Sequence, residues 1–394
     1  MKKILVFTSI YGPPFYGGLE ISIHEIYKSL IDSNFEIRIC SYTTLESQDA
    51  EQRLAPNVNV VRYVSKRFPH PILERSKMSG FRKLIFHFVN LFTGIHPGIV
   101  RNEIKDFCPD IIITHNLSGW GYQPWISARR KKIPVIHDNH DFYLSCITTT
   151  RANPEKGECA ATCLKCKPRE FATKLFWHSG TQIYNSSYTK SILEPLFGGS
   201  QTTKSAIIYP PVQLSIPRST NNDRPYDLGY IGRIEEIKGI RVFLSAIENL
   251  DFKVLVAGEG SLLKELSKQY PNITFAGKVE TSKFMDQIKV LVVPSLSPET
   301  FSRVVLEGMA AGIPTVVSNT GAMSEAKMRR GSFLVPVDPL NAIELVEGIR
   351  LAQVNGLNHF VPETSWLSEK YQKQISNFQE LLTGIPSHSL KEEN

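Results

Sequence analysis

Two glutamates, Glu299 and Glu307, stand eight residues apart in the segment PETFSRVVLEGMAAGIP, and their type and spacing suit a ligand with hydroxyl groups at both ends. The preceding run VLVVPSL, residues 290–296, has the pattern of a core strand, so we expect Glu299 in the loop after it and Glu307 in the next helix. Open α/β sheets bind ligands at such strand ends. If the intervening segment is helical, the two backbone positions lie up to about 12 Å apart, roughly the reach from a hexose across two phosphates to a ribose. The N–H groups between them would then face phosphate.

Two cations follow another predicted strand, in GYIGRIEEIKGI. That strand ends at Gly232, after which Arg233 and Lys238 project from the loop and the start of the next helix. The fork of an arginine and the point charge of a lysine, beside a helix N-terminus, can hold a diphosphate. Two such cations near a turn are by themselves more often plain surface charges. Their occurrence together with Glu299 and Glu307 favours a shared ligand site.

Two glycines, Gly17 and Gly18, separate the first predicted strand from its helix. Glycines at that position let the backbone approach a phosphate or a sugar closely. The segment is not the GxGxxG fingerprint of dinucleotide-binding proteins, so a tight strand-to-helix turn without a ligand is an equally good interpretation.

A histidine and an aspartate, His137 and Asp138, end the predicted strand IPVIHD, and His140 and Asp141 follow. An imidazole at a ligand-facing strand end can hydrogen-bond a sugar hydroxyl or share a developing charge, although a histidine there is often only structural. The HDNHD cluster also contains metal-ligand residue types. Consecutive strand residues point to opposite faces, however, and this disfavours a metal ion there.

Four of the six cysteines lie close together in the sequence: Cys146, Cys159, Cys163 and Cys166. The C-x3-C-x2-C part of this pattern suits tetrahedral coordination of a structural zinc ion, and a long loop rich in Lys, Pro and Gly benefits from such a staple. Disulfides and free thiols remain as alternatives. Six cysteines in a chain of this length are too few for a disulfide scaffold.

Short β-rich runs alternate with helical patterns along the chain, which predicts an α/β fold with mainly parallel, helix-covered sheets. The alternation is interrupted after Pro211 by a polar stretch rich in Pro, Ser and Asn and then restarts. We therefore predict an N-terminal domain over residues 1–212, with a cysteine-bearing insertion at about 141–170, and a C-terminal domain over 213–362. A last helical segment, 363–394, is expected to return across the first domain.

The size and composition of the chain fit this two-domain organisation. With 394 residues, 42% of them hydrophobic, the chain exceeds one ordinary core. No apolar run reaches about 18 residues, so no membrane span is predicted. The start MKKILVFTSIYGPP looks like a signal peptide but leads into an amphipathic helix without a small-residue cleavage site. We interpret it as the first strand of a cytoplasmic protein.

Most of the net charge of +7 is concentrated in residues 62–92, which hold seven Lys or Arg against Glu74 alone. The same stretch contains five phenylalanines: Phe68, Phe81, Phe86, Phe88 and Phe92. A basic and aromatic surface of this kind can bind anionic lipid, which would place the protein peripherally on the inner face of a membrane. The alternative is a solvated helix whose aromatic residues pack inward. We expect no nucleic-acid partner.

Taken together, these motifs resemble those of the retaining glycosyltransferases of family 4, and the resemblance spans nearly the whole sequence. It rests on the following segments: the GG turn at 17 and 18, VIHD at 135–138, NSSYTK at 185–190, IYPPV at 208–212, GRIEEIKG at 232–239, VAGEG at 256–260 and the E-x7-E motif from Glu299 to Glu307. Members with a cysteine-bearing insertion directly after the HD strand are similar to this chain between 141 and 170. The resemblance implies the GT-B fold, with two facing Rossmann-like, doubly wound domains, the first binding the acceptor and the second the nucleotide-sugar.

The implied activity is transfer of a sugar, with retention, from a UDP- or GDP-sugar to a hydroxyl of a glycan or lipid-linked acceptor. Polysaccharide biosynthesis is the expected setting, and no cofactor is implied for catalysis. A nucleotide-sugar epimerase and a noncatalytic sugar-nucleotide sensor are the alternatives. Two departures from the family pattern, Ser302 in place of a glycine and Gly308 in place of an alanine, remove no charged group.

Each candidate residue has a role by this resemblance. Glu299 would hold hydroxyls of the donor sugar, Glu307 would accept from the ribose, and Arg233 with Lys238 would stabilise the leaving diphosphate. His137 would contact the donor sugar. Gly232 would also contact the donor. The backbone around Thr300, Phe301, Ser302 and Arg303 would approach the phosphates, and that around Gly17 and Gly18 would close on them from the other domain. No protein nucleophile is implied.

Overall fold

The computed structural model describes most of the chain, namely residues 1–12, 17–31, 33–44, 51–64, 69, 74, 78–92, 94–153, 157–159, 162–198, 203–212, 224–326, 334–356 and 364–386. The polar segment 213–223, which contains most of the predicted linker, lies outside these residues. So do Lys66, Arg67, Phe68, Arg75 and Lys77 of the basic stretch.

Strands and helices alternate along the described chain. In chain order, the strands are β1 (Lys2–Phe7), β2 (Phe35–Thr43), β3 (Glu51–Ala55), β4 (Val58–Val64), β5 (Ile111–Thr114), β6 (Val135–Asn139), β7 (Ala152–Asn153), β8 (Gly157–Glu158), β9 (Gly180–Tyr184), β10 (Thr203–Ile207), β11 (Tyr226–Ile231), β12 (Val254–Ala257), β13 (Thr274–Phe275), β14 (Ile288–Val293), β15 (Thr315–Ser318) and β16 (Leu334–Val337). The helices are α1 (Gly18–Lys28), α2 (Gly80–Phe92), α3 (Pro97–Phe107), α4 (Gln123–Lys131), α5 (Lys167–Phe176), α6 (Ser187–Leu193), α7 (Ile240–Ile247), α8 (Leu263–Gln269), α9 (Thr281–Met285), α10 (Arg303–Ala310), α11 (Met323–Ala326), α12 (Ala342–Gly356) and α13 (Thr364–Gly384).

The chain divides into two compact units. The first contains Met1–Thr149, Thr162–Pro211 and Gln372–Asn394, and the second contains Thr150–Ala161 and Val212–Tyr371. The division after Pro211 lies one residue from the boundary drawn on the sequence. The last segment joins the first unit from Gln372 rather than from 363, because the first turns of α13 are grouped with the second unit.

The first unit is built on an eight-stranded sheet in the order β10-β9-β6-β5-β1-β2-β4-β3. All neighbouring strands pair in parallel except β3, which joins the edge antiparallel to β4. The chain starts in the middle of the sheet and winds outward in both directions, as in doubly wound α/β folds. The predicted parallel, helix-covered sheet is therefore confirmed for this unit.

The two faces of this sheet are covered by different helices. Alternate residues of β1 point to opposite faces, so that Leu5 packs with α3, α4, α5 and α6, whereas Ile4 packs with α1 and α13. The second half of α13 belongs to this core through Phe378 and Leu382. It is also tied to the first strand, because Lys2 Nζ donates to the carbonyls of Leu382 and Ile385 at 3.0 and 2.5 Å.

The second unit is built on a six-stranded, wholly parallel sheet in the order β13-β12-β11-β14-β15-β16. Helices α7, α8 and α12 pack on one core of this unit, while α9, α10 and α11 contribute to two smaller apolar clusters. Strands β11 and β14 are central neighbours, so the loops at their carboxyl ends meet at one edge of the sheet. This edge carries the charged residues that the sequence singles out.

Part of the cysteine-bearing insertion is grouped with the second unit. Strands β7 and β8 pair antiparallel as a small hairpin. A Cβ atom added to Gly157 would lie 3.8 Å from the Leu340 side chain and 3.9 Å from the Leu296 carbonyl oxygen. The sequence pattern assigned residues 150–161 to the first domain. Contacts with residues distant in the sequence group them with the second unit instead. Such contacts leave no local signal in the sequence.

None of the helices in the described part of the chain combines the length and the apolar character that crossing a bilayer requires.

Candidate functional site

Lys238 and Glu299 meet where two loops of the second unit are joined through their backbones. Lys238 ends a 3-10 turn after β11, and Glu299 lies in the loop after β14. The Ile237 carbonyl accepts hydrogen bonds from the N–H groups of Leu296 and Ser297 at 3.0 and 3.2 Å. With the loops fixed in this way, Lys238 Nζ lies 2.5 Å from Glu299 Oε1. The predicted proximity of the two charged motifs is thus present in the structure.

The Glu299 carboxylate is largely buried, with its side chain 18% exposed. Burial by itself raises the pKa of this carboxyl, but the charge and hydrogen bond of Lys238, aided by the Ser295 hydroxyl and by Arg233, outweigh burial and hold the pKa below its ordinary value. Ser295 Oγ donates at 2.8 Å to the same oxygen, Oε1. Among the described residues, both hydrogen bonds thus go to Oε1, and Oε2 is the oxygen available to a ligand hydroxyl.

Arg233 occupies a more open position than Lys238. Its side chain is 52% exposed and pairs with Glu235 at 2.8 Å. Its backbone carbonyl accepts a hydrogen bond from the buried Tyr230 hydroxyl at 2.7 Å, which fixes the start of the loop. The predicted arginine and lysine therefore share one loop, but only Lys238 contacts Glu299. A role of Arg233 toward a diphosphate stays a prediction.

Glu307 lies on α10, one turn after its first residue. Its side chain is 18% exposed and stands 3.8 Å from Arg303. Burial raises the pKa of the Glu307 carboxyl, and the charge of Arg303 partly opposes this. Helix α10 begins only at Arg303, with Ser302 as its N-cap, so the segment from Glu299 is helical in its second half alone. The backbone of Thr300 and Phe301 precedes the helix instead of belonging to it.

The departure from the family pattern at Gly308 has a steric reason. A Cβ atom at this position would lie 2.7 Å from Leu291 Cδ2 and 3.0 Å from Thr315 Oγ1. Helix α10 therefore packs on β14 and β15 too closely for an alanine to fit without movement.

Sequence reasoning missed Gly321, which fixes the backbone of Glu299. Gly321 has φ +62, and a Cβ atom there would lie 2.5 Å from both the nitrogen and the carbonyl oxygen of Glu299. The next residue, Ala322, donates its N–H to the Glu299 carbonyl at 2.7 Å. The signal in the sequence is the segment SNTGAM after a strand, in which a glycine lies two residues before a helix start.

In the first unit, Gly17 and Gly18 lie at the N-terminus of α1, as predicted. Gly17 is the N-cap residue and Gly18 is the first helical residue. A Cβ atom on Gly17 would stand 3.2 Å from Glu20 Oε2, so even an alanine would crowd this carboxylate. Contact of this turn with a phosphate or a sugar stays a prediction.

The His137 ring lies inside the first unit. It is 3% exposed, stands 2.8 Å from Thr114 Oγ1 through Nδ1, and packs edge-on against Trp125. Burial, reinforced by the charge of nearby His115, lowers the pKa of His137 to about 3. The predicted contact with a donor sugar stays a prediction, and the buried ring offers it little surface.

Asp138 and His140 point to the other face of the sheet and meet His115 there. His140 Nε2 lies 2.8 Å and His115 Nδ1 lies 3.4 Å from Asp138 Oδ2, and Tyr27 OH lies 2.9 Å from His115 Nε2. One side-chain nitrogen or oxygen atom from each of His115, Asp138 and His140 lies within 4.8 Å of the corresponding atoms of the other two residues. Strand alternation does not exclude this arrangement, since residues 138 and 140 share a face and His115 comes from the end of neighbouring β5.

These buried histidines predict an acid-sensitive fold. Burial also lowers the pKa of His115 to about 3. A histidine whose pKa in the folded state lies below the unfolded value stabilises the fold above the unfolded pKa and loses that contribution as the pH falls. As the pH falls from 6.5 to about 4, His115 and His137 should therefore each lower the free energy of unfolding by about 1.4 kcal/mol per pH unit.

The variant His137→Asn tests this expectation, because an asparagine can keep a polar contact to Thr114 without titrating. Urea unfolding at several pH values should give a shallower acid limb for the variant than for the wild type, by about 1.4 kcal/mol per pH unit. Exposed His178, substituted in the same way, is the control for the effect of the substitution itself. Equal slopes for His137→Asn and the wild type would contradict the buried, neutral histidine.

Three of the four clustered cysteines meet in the first unit. The Cys166 N–H donates to the Cys163 carbonyl oxygen at 2.9 Å. The neighbouring Cys166 thiol lowers the pKa of Cys163, whereas burial raises the pKa of Cys166 to about 12. All cysteines are free of disulfide bonds. Within the described residues, the three sulfurs do not all lie within 4.8 Å of one another. Cys159 follows β8, in the hairpin grouped with the second unit.

Two protein-family models match the chain along most of its length. The model described as Glycosyltransferase Family 4 matches residues 16–216, which is just over half of the chain, and the model described as Glycosyl transferases group 1 matches residues 225–351. The first match covers mainly residues of the first unit, and the second match lies within the second unit.

Several curated proteins are similar to the chain over most of its length. An uncharacterised 42.6 kDa protein in the cps region of Klebsiella pneumoniae is 26% identical, covering 82% of this chain and 87% of its own. An uncharacterised glycosyltransferase of Methanocaldococcus jannaschii is 25% identical, covering 82% and 81%. The phosphatidyl-myo-inositol mannosyltransferase of Mycobacterium tuberculosis is 31% identical over a shorter region, 30% of this chain and 36% of its own.

Solved structures share the fold at low identity. Sucrose-phosphate synthase from Thermosynechococcus elongatus superposes with a TM-score of 0.71 at 16% identity, covering 97% of each chain. HepE of Anabaena, solved with UDP and glucose, gives a TM-score of 0.63 at 16% identity, covering 98% of this chain and all of its own. With a family model covering more than half of its residues and a fold shared from end to end with these structures, this chain belongs to glycosyltransferase family 4 and is a glycosyltransferase of the GT-B type.

Proposed function

We propose that this glycosyltransferase moves a hexose from a UDP- or GDP-sugar to a hydroxyl of a glycan or lipid-linked acceptor, with retention of the anomeric configuration. The observation that carries the proposal is the buried pair of Glu299 and Lys238 at the carboxyl ends of two neighbouring strands. An ionised carboxylate with one oxygen already paired can accept a hydrogen bond from a sugar hydroxyl through its other oxygen. The lysine beside it can form an ion pair with the phosphate of the same donor.

In the proposed reaction, the bond between the anomeric carbon and the diphosphate oxygen breaks while the acceptor oxygen bonds that carbon on the same face. The acceptor proton passes to the leaving phosphate, so no protein nucleophile and no cofactor takes part. Lys238, with Arg233 nearby, stabilises the negative charge that grows on the diphosphate. Glu299 orients the sugar through its hydroxyls.

The other end of the donor is assigned to α10. Glu307 accepts hydrogen bonds from the ribose hydroxyls, which requires its ionised form. The backbone from Thr300 to Arg303, at the N-terminus of α10, approaches the phosphates, where the positive end of a helix favours an anion. Because burial raises the pKa of Glu307, donor binding is expected to weaken on acidification before Glu299 is protonated.

Relatives support the substrate classes. HepE has been solved with UDP-glucose, which fits a nucleotide-sugar donor, and the mycobacterial mannosyltransferase acts on phosphatidyl-myo-inositol, which fits a lipid-linked acceptor. The Klebsiella relative lies in a cps region, which fits biosynthesis of a cell-surface polysaccharide or exopolysaccharide. An acceptor carried on lipid also fits association with an anionic membrane surface.

The first experiment identifies the donor and then the reaction. A thermal-shift screen of UDP- and GDP-sugars should raise the unfolding temperature for the true donor, since a ligand that binds only the folded state stabilises it. Incubation of that donor without an acceptor then separates the proposed transferase from an epimerase, which would still convert the sugar. Stabilisation without transfer to any extracted lipid or glycan would support a sensor and contradict the proposal.

We also propose that the cysteines hold a structural zinc ion. Three of the four cysteines predicted as ligands, Cys146, Cys163 and Cys166, are neighbours in the first unit. The neighbouring Cys166 thiol holds the pKa of Cys163 below its ordinary value, and the thiolate is the form that binds zinc. The three sulfurs would have to draw together to reach coordination distance.

Metal analysis of the purified protein tests this proposal. We expect about one zinc per chain and its loss in Cys166→Ser, with a lower unfolding temperature, because a bound structural metal contributes to folding. Cys108→Ser is the matched control, since Cys108 is exposed and outside the cluster. Absence of stoichiometric metal from the wild type would refute the zinc and leave free thiols or disulfides.

A further inference from the structure

Apolar side chains are exposed together on two helices of the first unit. Of the thirteen large hydrophobic residues that are exposed in the described chain, eight lie on α2, on α5 or in the turn before α5. They are Phe81, Leu84, Ile85, Phe88, Phe92, Leu164, Phe171 and Leu175. We call this set the α2/α5 surface. Isolated exposed apolar residues are ordinary, whereas a contiguous set marks an interaction site.

The α2 part of this surface is one face of a helix. Its five residues follow the spacing i, i+3, i+4, i+7 and i+11 from Phe81, which places them within an arc of about 100° around the helix. Phe81 and Phe88 are 73% and 66% exposed. The opposite face carries Phe86 and Asn90, which are buried. Helix α2 thus exposes most of its apolar face to solvent. The alternative interpretation of the sequence expected its phenylalanines to pack inward. Phe86 does so, whereas Phe81, Phe88 and Phe92 are exposed.

Helix α5 lies beside α2 and continues the surface. The rings of Phe92 and Phe176 are 6.4 Å apart, and both helices contact Tyr143: Asn90 Nδ2 donates to its hydroxyl at 2.6 Å and the Arg169 guanidinium lies 4.2 Å from its ring centroid. These contacts fasten the inner faces of the two helices to the same side chain. Phe171 and Leu175, one turn apart on α5, are 68% and 53% exposed.

The charges around the apolar residues are almost all positive. Residues 80–92 and 162–176 contain, besides buried Arg169, five cations: Arg82, Lys83, Lys165, Lys167 and Lys174. The one acid is Glu170, whose carboxylate accepts a hydrogen bond from Thr162. A second copy of the chain would bring these cations against each other in a two-fold interface, which costs free energy. An anionic bilayer instead offers negative charge at its surface and apolar depth beneath it.

We infer that the α2/α5 surface docks on an anionic lipid bilayer, with the exposed phenylalanines and leucines entering the acyl boundary and the lysines and arginines meeting the headgroups. This inference rests on the proposed lipid-linked acceptor, which docking would bring to the enzyme. It also gives the cysteine-bearing segment a role: the turn from Cys163 to Cys166 leads directly into α5 and holds Leu164 in the surface, 81% exposed. The surface is therefore built from two segments far apart in the sequence.

Flotation with vesicles tests the inference on the full-length protein. Vesicles of phosphatidylglycerol mixed with phosphatidylcholine should carry the wild type at low salt, and vesicles of phosphatidylcholine alone should carry far less. Phe81→Ser with Phe88→Ser, and separately Phe171→Ser with Leu175→Ser, should each weaken binding by at least about tenfold. Ile343→Ser with Leu351→Ser is the matched control, because both residues are exposed on α12 of the second unit.

Each alternative outcome overturns part or all of the inference. A wild type that stays with the soluble fraction, or a serine pair on α5 that binds like the wild type, refutes the two-helix surface. A wild type that is dimeric by light scattering, with serine variants that are monomeric, assigns the surface to a second copy. If a serine variant unfolds in a thermal melt, Arg82→Glu with Lys174→Glu replaces it and should also abolish flotation.

The failure of docking and the failure of the proposed function are distinguishable. Donor binding measured by thermal shift depends on the second unit and should be unchanged in the serine variants. Flotation without any sugar transfer would leave the lipid surface standing and contradict the transferase. Sugar transfer to a water-soluble acceptor without flotation would support the transferase and contradict the lipid-docking surface.

Discussion

The variant Glu299→Gln should lose sugar transfer by about 10³-fold in kcat/KM while the protein remains folded. The carboxylate sits where the loops after two central strands meet, and its pKa is held below the ordinary value, so it is ionised at every working pH. Glutamine keeps the shape of the side chain but removes the negative charge. That charge positions Lys238 and strengthens the hydrogen bonds that the carboxylate accepts from the sugar hydroxyls. A rate assay with the donor found by thermal shift measures the loss.

The control for this prediction is Glu280→Gln, because Glu280 is exposed at the start of α9 and pairs only with neighbours at the surface. It should transfer sugar like the wild type. Thermal melts of both variants separate lost chemistry from lost structure. Wild-type turnover in Glu299→Gln would remove the central residue of the proposed site.

The variant Gly239→Ala should destabilise the protein by about 3 kcal/mol or more. Gly239 follows Lys238 with φ +70, a conformation that costs an alanine about 1 kcal/mol or more. In addition, the new Cβ atom would lie 1.8 Å from the carbonyl oxygen of Pro294, which is backbone and cannot rotate away. The loops that carry Lys238 and Glu299 would have to separate, so activity should fall together with stability.

A second glycine separates the two causes. Gly277 has φ +64, but nothing lies within 4 Å of the Cβ position. Gly277→Ala should therefore cost only the backbone strain, about 1 kcal/mol, with sugar transfer unchanged. Chemical unfolding of both variants gives the difference. Equal destabilisation at the two sites would show that the contact with Pro294 does not constrain the loop.

The fold could be predicted from the sequence because its signals are local. Apolar runs that alternate with helical patterns predict a parallel sheet, and the two large sheets are parallel apart from the edge strand β3. Element ends were less accurate. The run 290–296 was predicted as a strand, yet β14 ends at Val293, because Pro294 lacks an N–H group for the ladder.

The candidate site was predictable to the extent that its charges follow strands. Lys238 and Glu299 were named on this basis, and they meet. Gly321 and His115 were not, because each contributes through a contact from a neighbouring strand or loop that no local pattern reveals. The burial of His137 was missed for a related reason. Which face of β6 its ring occupies depends on Trp125 and Thr114, far away in the sequence.

Helix α13 has a consequence for how the protein is made. Because Phe378 and Leu382 complete a core begun by β1, and because Lys2 bonds carbonyls at residues 382 and 385, the first unit lacks part of its interior until α13 has been synthesised. During translation, this core therefore stays incomplete until α13 has left the ribosome. An N-terminal fragment cut near residue 212 would emerge with an apolar face uncovered and should depend on a chaperone or on a separately supplied α13 peptide.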